Sequence, residues 1–145
     1  MEKLTRREER EYAFTMLFEA LFHADEACGE LYESILENTD DERIRQSRYV
    51  KKLFFGVSER LEEISAAINA NLKGWKAERI SKVSLAILRL AVYEMLFVDK
   101  LAPQISINEA VELCKKYDDE KAPAFVNGVL RGVFRSLPEN AEDGQ

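Results

Sequence analysis

The sequence predicts an all-α domain of six or seven helices. Apolar side chains recur at helical spacing in several segments, and one segment, residues 79–98, is apolar on nearly every side. No stretch shows the alternation of a β-strand or a glycine-rich repeat. A chain of 145 residues is most simply one domain with its own core. We assign residues 1–136 to that domain and residues 137–145 to a short acidic, disordered tail.

Composition and cysteine usage indicate a soluble protein of the reducing cytoplasm. The net charge is −6, and 46% of the residues are hydrophobic. Residues 1–12 lack the apolar run of a signal peptide, so none is expected. Cys28 and Cys114 are isolated thiols and His23 is the only histidine, which argues against a zinc site or a disulfide framework. We expect no metal and no cofactor.

Charge is segregated along the chain. Residues 19–42 hold nine acids and no Lys or Arg, whereas residues 1–12 hold four charges of each sign. Residues 43–60 hold a single acid, Glu59, and six basic residues, Arg43, Arg45, Arg48, Lys51, Lys52 and Arg60. Such segregation can create a positive surface on an acidic protein, although solvated helix faces show it too.

The first helix is predicted over residues 5–23 and carries two apolar stripes. The first has the spacing of a core-facing helix and comprises Ala13, Met16, Leu17, Ala20 and Leu21. The second consists of Phe14, Phe18 and Phe22, four residues apart. This second stripe either extends the core or forms a surface for a partner.

A short helix and a long helix follow. The short one has an apolar face of Leu31, Tyr32, Ile35 and Leu36 and ends near Asn38. Asp40 or Asp41 is suited to cap the long one, because a carboxylate accepts from free N–H groups. Its inward stripe comprises Phe54, Val57, Leu61, Ile64 and Ile68, and Gly74 is predicted to end it.

The fourth predicted helix, within residues 79–98, is central to the fold. From residue 85 to residue 98 only Arg89, Tyr93 and Glu94 carry polar groups, so neighbouring helices are expected to surround it. It is too short to span a bilayer, which needs about 20 apolar residues. We expect Arg89 and Glu94 to pair with other groups of the chain, because buried charges are seldom left without partners.

Two helices complete the domain. Ser106 with Glu109 has the spacing of a capping box, which predicts a helix start at Ser106. Cys114 on that helix is interpreted as a small core residue. The last helix is predicted to open near Pro123, which suits a first helical turn. Its inward residues are Val126, Val129, Leu130 and Val133.

The sequence gives no sign of catalysis. It contains no dinucleotide-binding or phosphate-binding glycine loop, no HExxH and no nucleophile elbow. One histidine leaves little scope for general-base chemistry. We therefore expect a protein that binds and does not catalyse.

The first candidate binding surface is the basic start of the first helix. Lys3, Arg6, Arg7 and Arg10 lie there, and Arg7, Arg10 and Phe14 are spaced to share one face. Guanidinium forks suit phosphate groups, and aromatic rings stack on bases. The alternative is that these cations are neutralised in surface salt bridges by the neighbouring acids Glu2, Glu8, Glu9 and Glu11.

The second candidate surface is the start of the last helix. Phe125 and Asn127 lie in its first turn, where free N–H groups attract anions. Asn127 could read a base edge or could bond the backbone of its own turn. Gly128 inside a helix costs about 1 kcal/mol relative to alanine, which suggests close packing against another helix or close approach by a ligand.

Four segments together resemble the NusB family of bacterial antitermination factors. They are Arg6-Arg7-x-x-Arg10-Glu11-x-Ala13-x-x-x-Leu17-Phe18, Ala86-Ile87-Leu88-Arg89-Leu90-Ala91-x-Tyr93-Glu94, Ile107-Asn108-Glu109-Ala110-Val111-Glu112-Leu113 and Phe125-Val126-Asn127-Gly128-Val129-Leu130. They fall in order and span residues 6 to about 134. The resemblance implies a NusB-like fold of two small bundles packed crosswise.

The resemblance also implies partners. These are the ribosomal protein NusE, single-stranded boxA RNA of ribosomal RNA transcripts, and NusA, NusG and RNA polymerase in a larger complex. It implies RNA contacts at Lys3, Arg6, Arg7, Arg10, Phe125 and Asn127, with Lys121 adding positive charge beside Phe125. It implies NusE contacts at Phe18, Phe22 and the start of the central helix near Ser84, which is expected to be exposed.

Two departures from the family pattern predict weaker contacts. Glu8 and Glu9 stand where family members commonly continue the basic run, and Ser84 stands where an acidic residue is common. Two other functions are compatible with the resemblance. The first is the RNA-recognition domain fused to RNA cytosine methyltransferases, for whose catalytic domain a chain of 145 residues would leave no room. The second is a purely structural helical homodimer.

Overall fold

The computed structural model describes residues 2–74 and 79–138, and all regular structure in these ranges is helical. The helices are α1 (Arg6–Ala20), α2 (Cys28–Glu37), α3 (Glu42–Gln46), α4 (Arg48–Glu59), α5 (Leu61–Asn69), α6 (Lys82–Phe97), α7 (Pro103–Tyr117) and α8 (Ala122–Arg135). The predicted all-α class is confirmed, although the described ranges hold eight helices where six or seven were expected. None of these eight has the length and apolar content needed to cross a membrane.

The additional helices come from the segment predicted as one long helix. Asp41 caps α3 as expected, because its carboxylate accepts from the Arg43 N–H at 2.9 Å. Ser47 then adopts an extended conformation and caps α4, its hydroxyl accepting from the Val50 N–H at 3.0 Å. A second break at Arg60 separates α4 from α5. The prediction of a single helix was therefore wrong.

The break at Arg60 also changes which side chains face inward. Leu61, predicted to be in the core, is 37% exposed, because α5 starts at this residue in a new direction. Gly74 does not end the helix, since α5 stops at Asn69 and Gly74 follows in a turn with φ of +86°. Phe54, Val57, Ile64 and Ile68 do lie in the core.

Helix α6 is the centre of the domain. It packs against α1, α4, α5, α7 and α8. Leu88, Ile87 and Val92 have no exposed surface. The approach of α4 is close: a Cβ on Gly56 would lie 2.2 Å from the ring of Tyr93, so any larger residue there would force that ring to move. The prediction of an enclosed central helix is confirmed.

The two charged residues of α6 have different surroundings. Glu94 is 1% exposed and accepts hydrogen bonds from Arg10 of α1 and Tyr49 of α4, as expected for a buried charge. Among the described residues, Arg89 makes no ion pair and its buried Nε has no hydrogen-bond partner. Burial lowers the pKa of Arg89. The expected pairing is thus found for Glu94 alone.

The start of α7 also differs from the prediction. The helix opens at Pro103, with Ala102 as the capping residue, and Ser106 lies inside it and is 1% exposed. Proline supplies the start because it lacks the N–H that a first turn leaves unpaired. Pro123 occupies the same kind of position in the first turn of α8, which confirms that prediction. Cys114 is fully buried, and burial raises the pKa of its thiol to about 12.

Leu137 is 6% exposed and packs with the core, although it lies one residue beyond the predicted domain boundary. The predicted tail from residue 139 onward lies outside the described residues.

Candidate nucleic-acid interface

A capping box fixes the basic start of α1. The Thr5 hydroxyl accepts from the Glu8 N–H at 3.1 Å, and the Thr5 N–H donates to the Glu8 carboxylate at 2.8 Å. Hydrogen bonds to its carboxylate from the backbone N–H of Thr5 and from the Thr5 side chain lower the pKa of Glu8. Glu8 is therefore part of the helix start, and Arg6 and Arg7 follow this cap at once.

Arg7 is the most exposed of the three arginines, with 71% of its side chain accessible. Its guanidinium forms a fork on Glu109 of α7, with Nε at 3.0 Å and Nη2 at 2.8 Å from the two carboxylate oxygens. The hydrogen bond and the charge of Glu109 raise the pKa of Arg7. One edge of the guanidinium is thus anchored while the side chain stays accessible.

Arg6 projects to another side of α1. It pairs with Glu9 at 3.1 Å, and its guanidinium carbon lies 3.7 Å from the centre of the Tyr49 ring. More than half of its side chain is accessible. The neutralisation by neighbouring acids considered from the sequence therefore holds for Arg6, although the pair is a surface contact that an incoming phosphate can replace.

Arg10 does not belong to the accessible surface. Its side chain is 7% exposed, and Nε donates to Glu94 at 2.8 Å while Nη1 lies 3.8 Å from Glu109. Phe14 is 2% exposed. Arg7 and Arg10 both reach Glu109 and so share a face, but the buried carboxylate of Glu94 draws Arg10 into the core, so this face does not offer two guanidiniums and a ring to a ligand.

A cleft of about 600 Å³ joins the start of α1 to α7 and α8. Arg7 and Asn127 both line it, so two of the residues expected to contact RNA come together. The acids Glu109 and Glu112 line it as well, and Lys115 pairs with Glu112 at 3.2 Å. The cleft therefore offers hydrogen-bond donors, and the charges of its two cations, Arg7 and Lys115, are largely balanced by Glu109 and Glu112. Such a cleft is suited to hydrogen bonding with polar groups of a ligand.

The other residues near the start of α8 that were predicted to contact RNA, Lys121 and Phe125, do not line this cleft. Phe125 is half-buried and packs on the core, and it lies two positions before Asn127, which places it about 200° around the helix. Lys121 is exposed at the start of α8, where its N–H donates to Asp119 at 3.0 Å. Gly128 is exposed, and a Cβ there would meet no atom within 4 Å. The suggestion that Gly128 packs closely against another helix was wrong.

The aromatic stripe of α1 emerges gradually from the core. Phe14 is buried, Phe18 is half-buried and Phe22 is 57% exposed. The rings of Phe18 and Phe22 meet edge to face at 5.3 Å, and the Lys82 ammonium lies 5.5 Å from the centre of the Phe22 ring. The stripe thus serves the core at one end and presents aromatic surface at the other.

Ser84, expected to be exposed, is 3% exposed. Its hydroxyl donates to Asp118 at 2.7 Å, and the Ser81 hydroxyl donates to the same oxygen at 2.6 Å. Asp118, from the end of α7, covers Ser84, so the expected exposure was wrong. Burial works to raise the pKa of Asp118, but the hydrogen bonds from Ser81 and Ser84 outweigh it and hold that pKa below its usual range.

A sequence profile of the NusB family matches residues 7–135. The chain belongs to the NusB family. A relative from Clostridium botulinum (strain Kyoto / Type A2), the transcription antitermination protein NusB, is 42% identical over 144 residues, covering 88% of this chain and 97% of the relative. The structure of T. maritima NusB matches with a TM-score of 0.81 at 33% identity, over 97% of this chain and 99% of that one.

A further solved structure contains the antitermination factors NusB and NusE in complex with double-stranded RNA. One of its chains matches this one with a TM-score of 0.76 at 31% identity, over 91% of this chain and 97% of that chain. These similarities confirm the NusB-like fold that the four sequence segments predicted.

The fold adds three contacts to the candidate site residues, and each is made by a residue that the sequence analysis did not select as a site residue. Glu109 anchors Arg7, Tyr49 stacks on Arg6, and Asp118 covers Ser84. Each lies far along the chain from the residue it contacts, so no local spacing indicated the contact. Within the described ranges, no three His, Cys, Asp or Glu side chains come together as a group that could hold a metal ion.

Proposed function

We propose that this NusB-family chain is a non-catalytic RNA-binding adaptor of transcription antitermination. With the ribosomal protein NusE it binds boxA RNA in ribosomal RNA transcripts and helps RNA polymerase read through terminators. The observation that carries the proposal is the family match over residues 7–135, together with a relative of nearly the same extent that bears the name of an antitermination protein.

The RNA site consists of Lys3, Arg6 and Arg7 on the α1 side and Lys121, Phe125 and Asn127 on α8. The shared cleft of Arg7 and Asn127 supports this assignment, because it joins a guanidinium whose second edge can donate to phosphate to an amide that can pair with a base edge. Arg10 acts indirectly, since its pair with Glu94 fixes α1 against α6.

The surface for NusE consists of Phe22 and the accessible part of Phe18. An exposed aromatic pair beside a core is the kind of anchor on which interfaces depend. Ser84 contributes to this surface through the Asp118 carboxylate that its hydroxyl holds in place. NusA, NusG and RNA polymerase complete the assembly, which places the protein in the cytoplasm.

The chain alone binds boxA weakly, because its net charge is −6 and residues 1–12 sum to zero. Each phosphate neutralised on a single strand contributes about 0.7 to the log–log salt slope, so about three cationic contacts give a slope near −2. A basic ribosomal protein placed beside α1 supplies the missing positive surface and raises the affinity.

The test is RNA titration of the full chain with boxA RNA and with a scrambled RNA of equal length, each with and without NusE. We expect tight binding in one of the four mixtures only, the one that contains both boxA RNA and NusE. Size-exclusion chromatography with light scattering, with and without RNA, identifies the bound species. A homodimer that persists in every mixture, with equal affinity for both RNAs, would refute the adaptor function and favour a structural dimer.

A further inference from the structure

The exposed face of α4 carries a row of cations. Arg48, Lys51 and Lys52 are spaced three and four residues apart, so they are neighbours on one side of the helix. All three are exposed, and none forms an ion pair with any residue in the part of the chain that the structure describes. The other basic residues of residues 43–60 are engaged: Arg43 pairs with Asp41, Arg45 with Glu42 and Arg60 with Glu63.

This arrangement opposes the stability of α4. Like charges three and four residues apart repel each other on a helix surface. Arg48 and Lys51 also lie in the first turn, where the helix dipole disfavours cations, and that turn holds no acid. The protein has 27 acids and 21 basic residues, yet none of the described acids pairs with this face. Local choices that break helix rules are expected where a surface serves a function.

A cleft of about 660 Å³ joins this face to the start of α1. Lys3, Arg6, Arg43 and Arg48 line it with Tyr49, and the acids on its wall are Glu2 and Glu9. The Glu9 carboxylate is already engaged, since it accepts hydrogen bonds from the Arg6 guanidinium and, at 2.6 Å, from the Ser47 hydroxyl.

The Tyr49 ring in this cleft is fixed from two directions. Its hydroxyl donates to the buried Glu94, and the Arg6 guanidinium lies over its face at 3.7 Å. Burial, followed by the nearby charge of Glu94, raises the pKa of Tyr49, so it stays a neutral donor. The cleft therefore presents a positioned planar group beside cations.

A second cleft of about 510 Å³ continues along α4. Lys51 and Lys52 line it with the half-buried Phe55, and Glu59 is its one acid. At its far end the Arg60 guanidinium lies 5.0 Å from the centre of the Phe97 ring. The two clefts together place cations and aromatic rings side by side along α4, a combination typical of surfaces that follow a single-stranded backbone.

We propose that Arg48, Lys51 and Lys52, called here the α4 basic face, bind the sugar–phosphate backbone of a second stretch of the same RNA. The inference rests on the proposed function and extends it. Arg7 lines the cleft between α1, α7 and α8, whereas its neighbour Arg6 lines the cleft leading to α4. A strand crossing the start of α1 therefore passes from one cleft to the other.

Continuity with Arg6 favours RNA over an acidic protein segment as the occupant. The α4 basic face contacts phosphate groups and not base edges, so it raises the affinity for flanking nucleotides whatever their sequence. Its contribution is accordingly confined to RNA that extends beyond the element held by Arg7 and Asn127.

The experiment compares two triple variants of the full chain, each made with and without NusE. The test variant is Arg48→Gln, Lys51→Gln and Lys52→Gln. The matched control is Lys73→Gln, Lys100→Gln and Arg135→Gln, which removes the same charge from exposed residues that line neither α4 cleft. Each protein is titrated at several salt concentrations with boxA RNA alone and with boxA extended by about 12 unstructured nucleotides.

We expect the test variant to bind the extended RNA about tenfold more weakly than wild type, with a salt slope reduced by about 2, because about three phosphate contacts are lost. On boxA alone it should match wild type, and the control should match wild type on both RNAs. Equal binding of both variants to the extended RNA would overturn the inference while leaving the boxA site intact.

Two other outcomes have a defined meaning. If wild type with NusE binds neither RNA, the proposed function fails and the inference fails with it. If the test variant keeps its RNA affinity but loses binding to a polyglutamate peptide, the face serves an acidic protein and the RNA assignment is overturned. Circular dichroism of both variants checks that α4 remains folded.

Discussion

At the scale of single residues, Arg7 and Arg10 lie one turn apart on α1 in opposite surroundings. Arg7 meets Glu109 at the surface and stays accessible, whereas Arg10 meets Glu94 inside the core. A buried ion pair adds little stability over an apolar pair, but removing one partner is costly because the remaining charge is left unpaired. The same residue type is therefore accessible to a ligand at one position and packs helices together at the other.

Changing Arg10 to Gln should lower the free energy of unfolding by about 3–5 kcal/mol, because Glu94 then stays buried without its cation. Changing Arg7 to Gln should leave stability nearly unchanged and weaken RNA binding. Urea denaturation and RNA titration of the folded fraction measure the two effects. If Arg10→Gln is as stable as wild type and loses only RNA affinity, Arg10 belongs to the RNA site after all.

At the scale of elements, the sequence predicted the inward faces well and the helix ends poorly. The stripe of α8 is buried and α6 is enclosed as expected, whereas in the α1 stripe Ala13, Met16 and Leu17 are buried and Ala20 and Leu21 are half-buried. The break at Arg60 could not be read from spacing, because the apolar repeat continues across it from Val57 to Leu61 and Ile64, whereas the break at Ser47 lies before that repeat begins at Phe54. Ser84 was misplaced for another reason: Asp118, which covers it, lies 34 residues along the chain.

The aromatic stripe of α1 gives a test at this scale. Phe22 is 57% exposed and lies beyond the end of α1, so Phe22→Ala should change the free energy of unfolding by less than about 0.5 kcal/mol. It should weaken NusE binding clearly, because aromatic anchors carry much of an interface's energy. Isothermal titration with NusE and urea denaturation separate the two effects. If Phe22→Ala loses much stability and keeps its affinity for NusE, Phe22 is a core residue and not a contact to NusE.

At the scale of the whole molecule, α6 holds the domain together and the candidate binding surfaces lie around it. The Arg10–Glu94–Tyr49 cluster ties α1 and α4 to α6, and Asp118 ties the end of α7 to its start. These contacts join residues far apart in sequence, which is why the sequence predicted the fold and the basic segments but not the clefts. The cleft of Arg7 and Asn127 needed the packing of three helices to become visible.

The enclosure of α6 predicts a large cost for truncating its core. Leu88 is fully buried, so Leu88→Ala should lower the free energy of unfolding by about 2–5 kcal/mol. Leu61→Ala, at a 37% exposed leucine, is the matched control and should cost much less. Urea denaturation of both variants measures the difference. Equal losses would mean that α6 is not the centre of the core.

The central claim, RNA-dependent antitermination without catalysis, is tested most directly by transcription in vitro. The template carries boxA or a scrambled boxA before a terminator, with RNA polymerase, NusA, NusG and NusE present, and the measured quantity is the fraction of transcripts that pass the terminator. The account predicts that the wild-type chain raises this fraction on the boxA template alone, and that Arg7→Gln raises it less. Equal readthrough on both templates, or no response to the added chain, would contradict it.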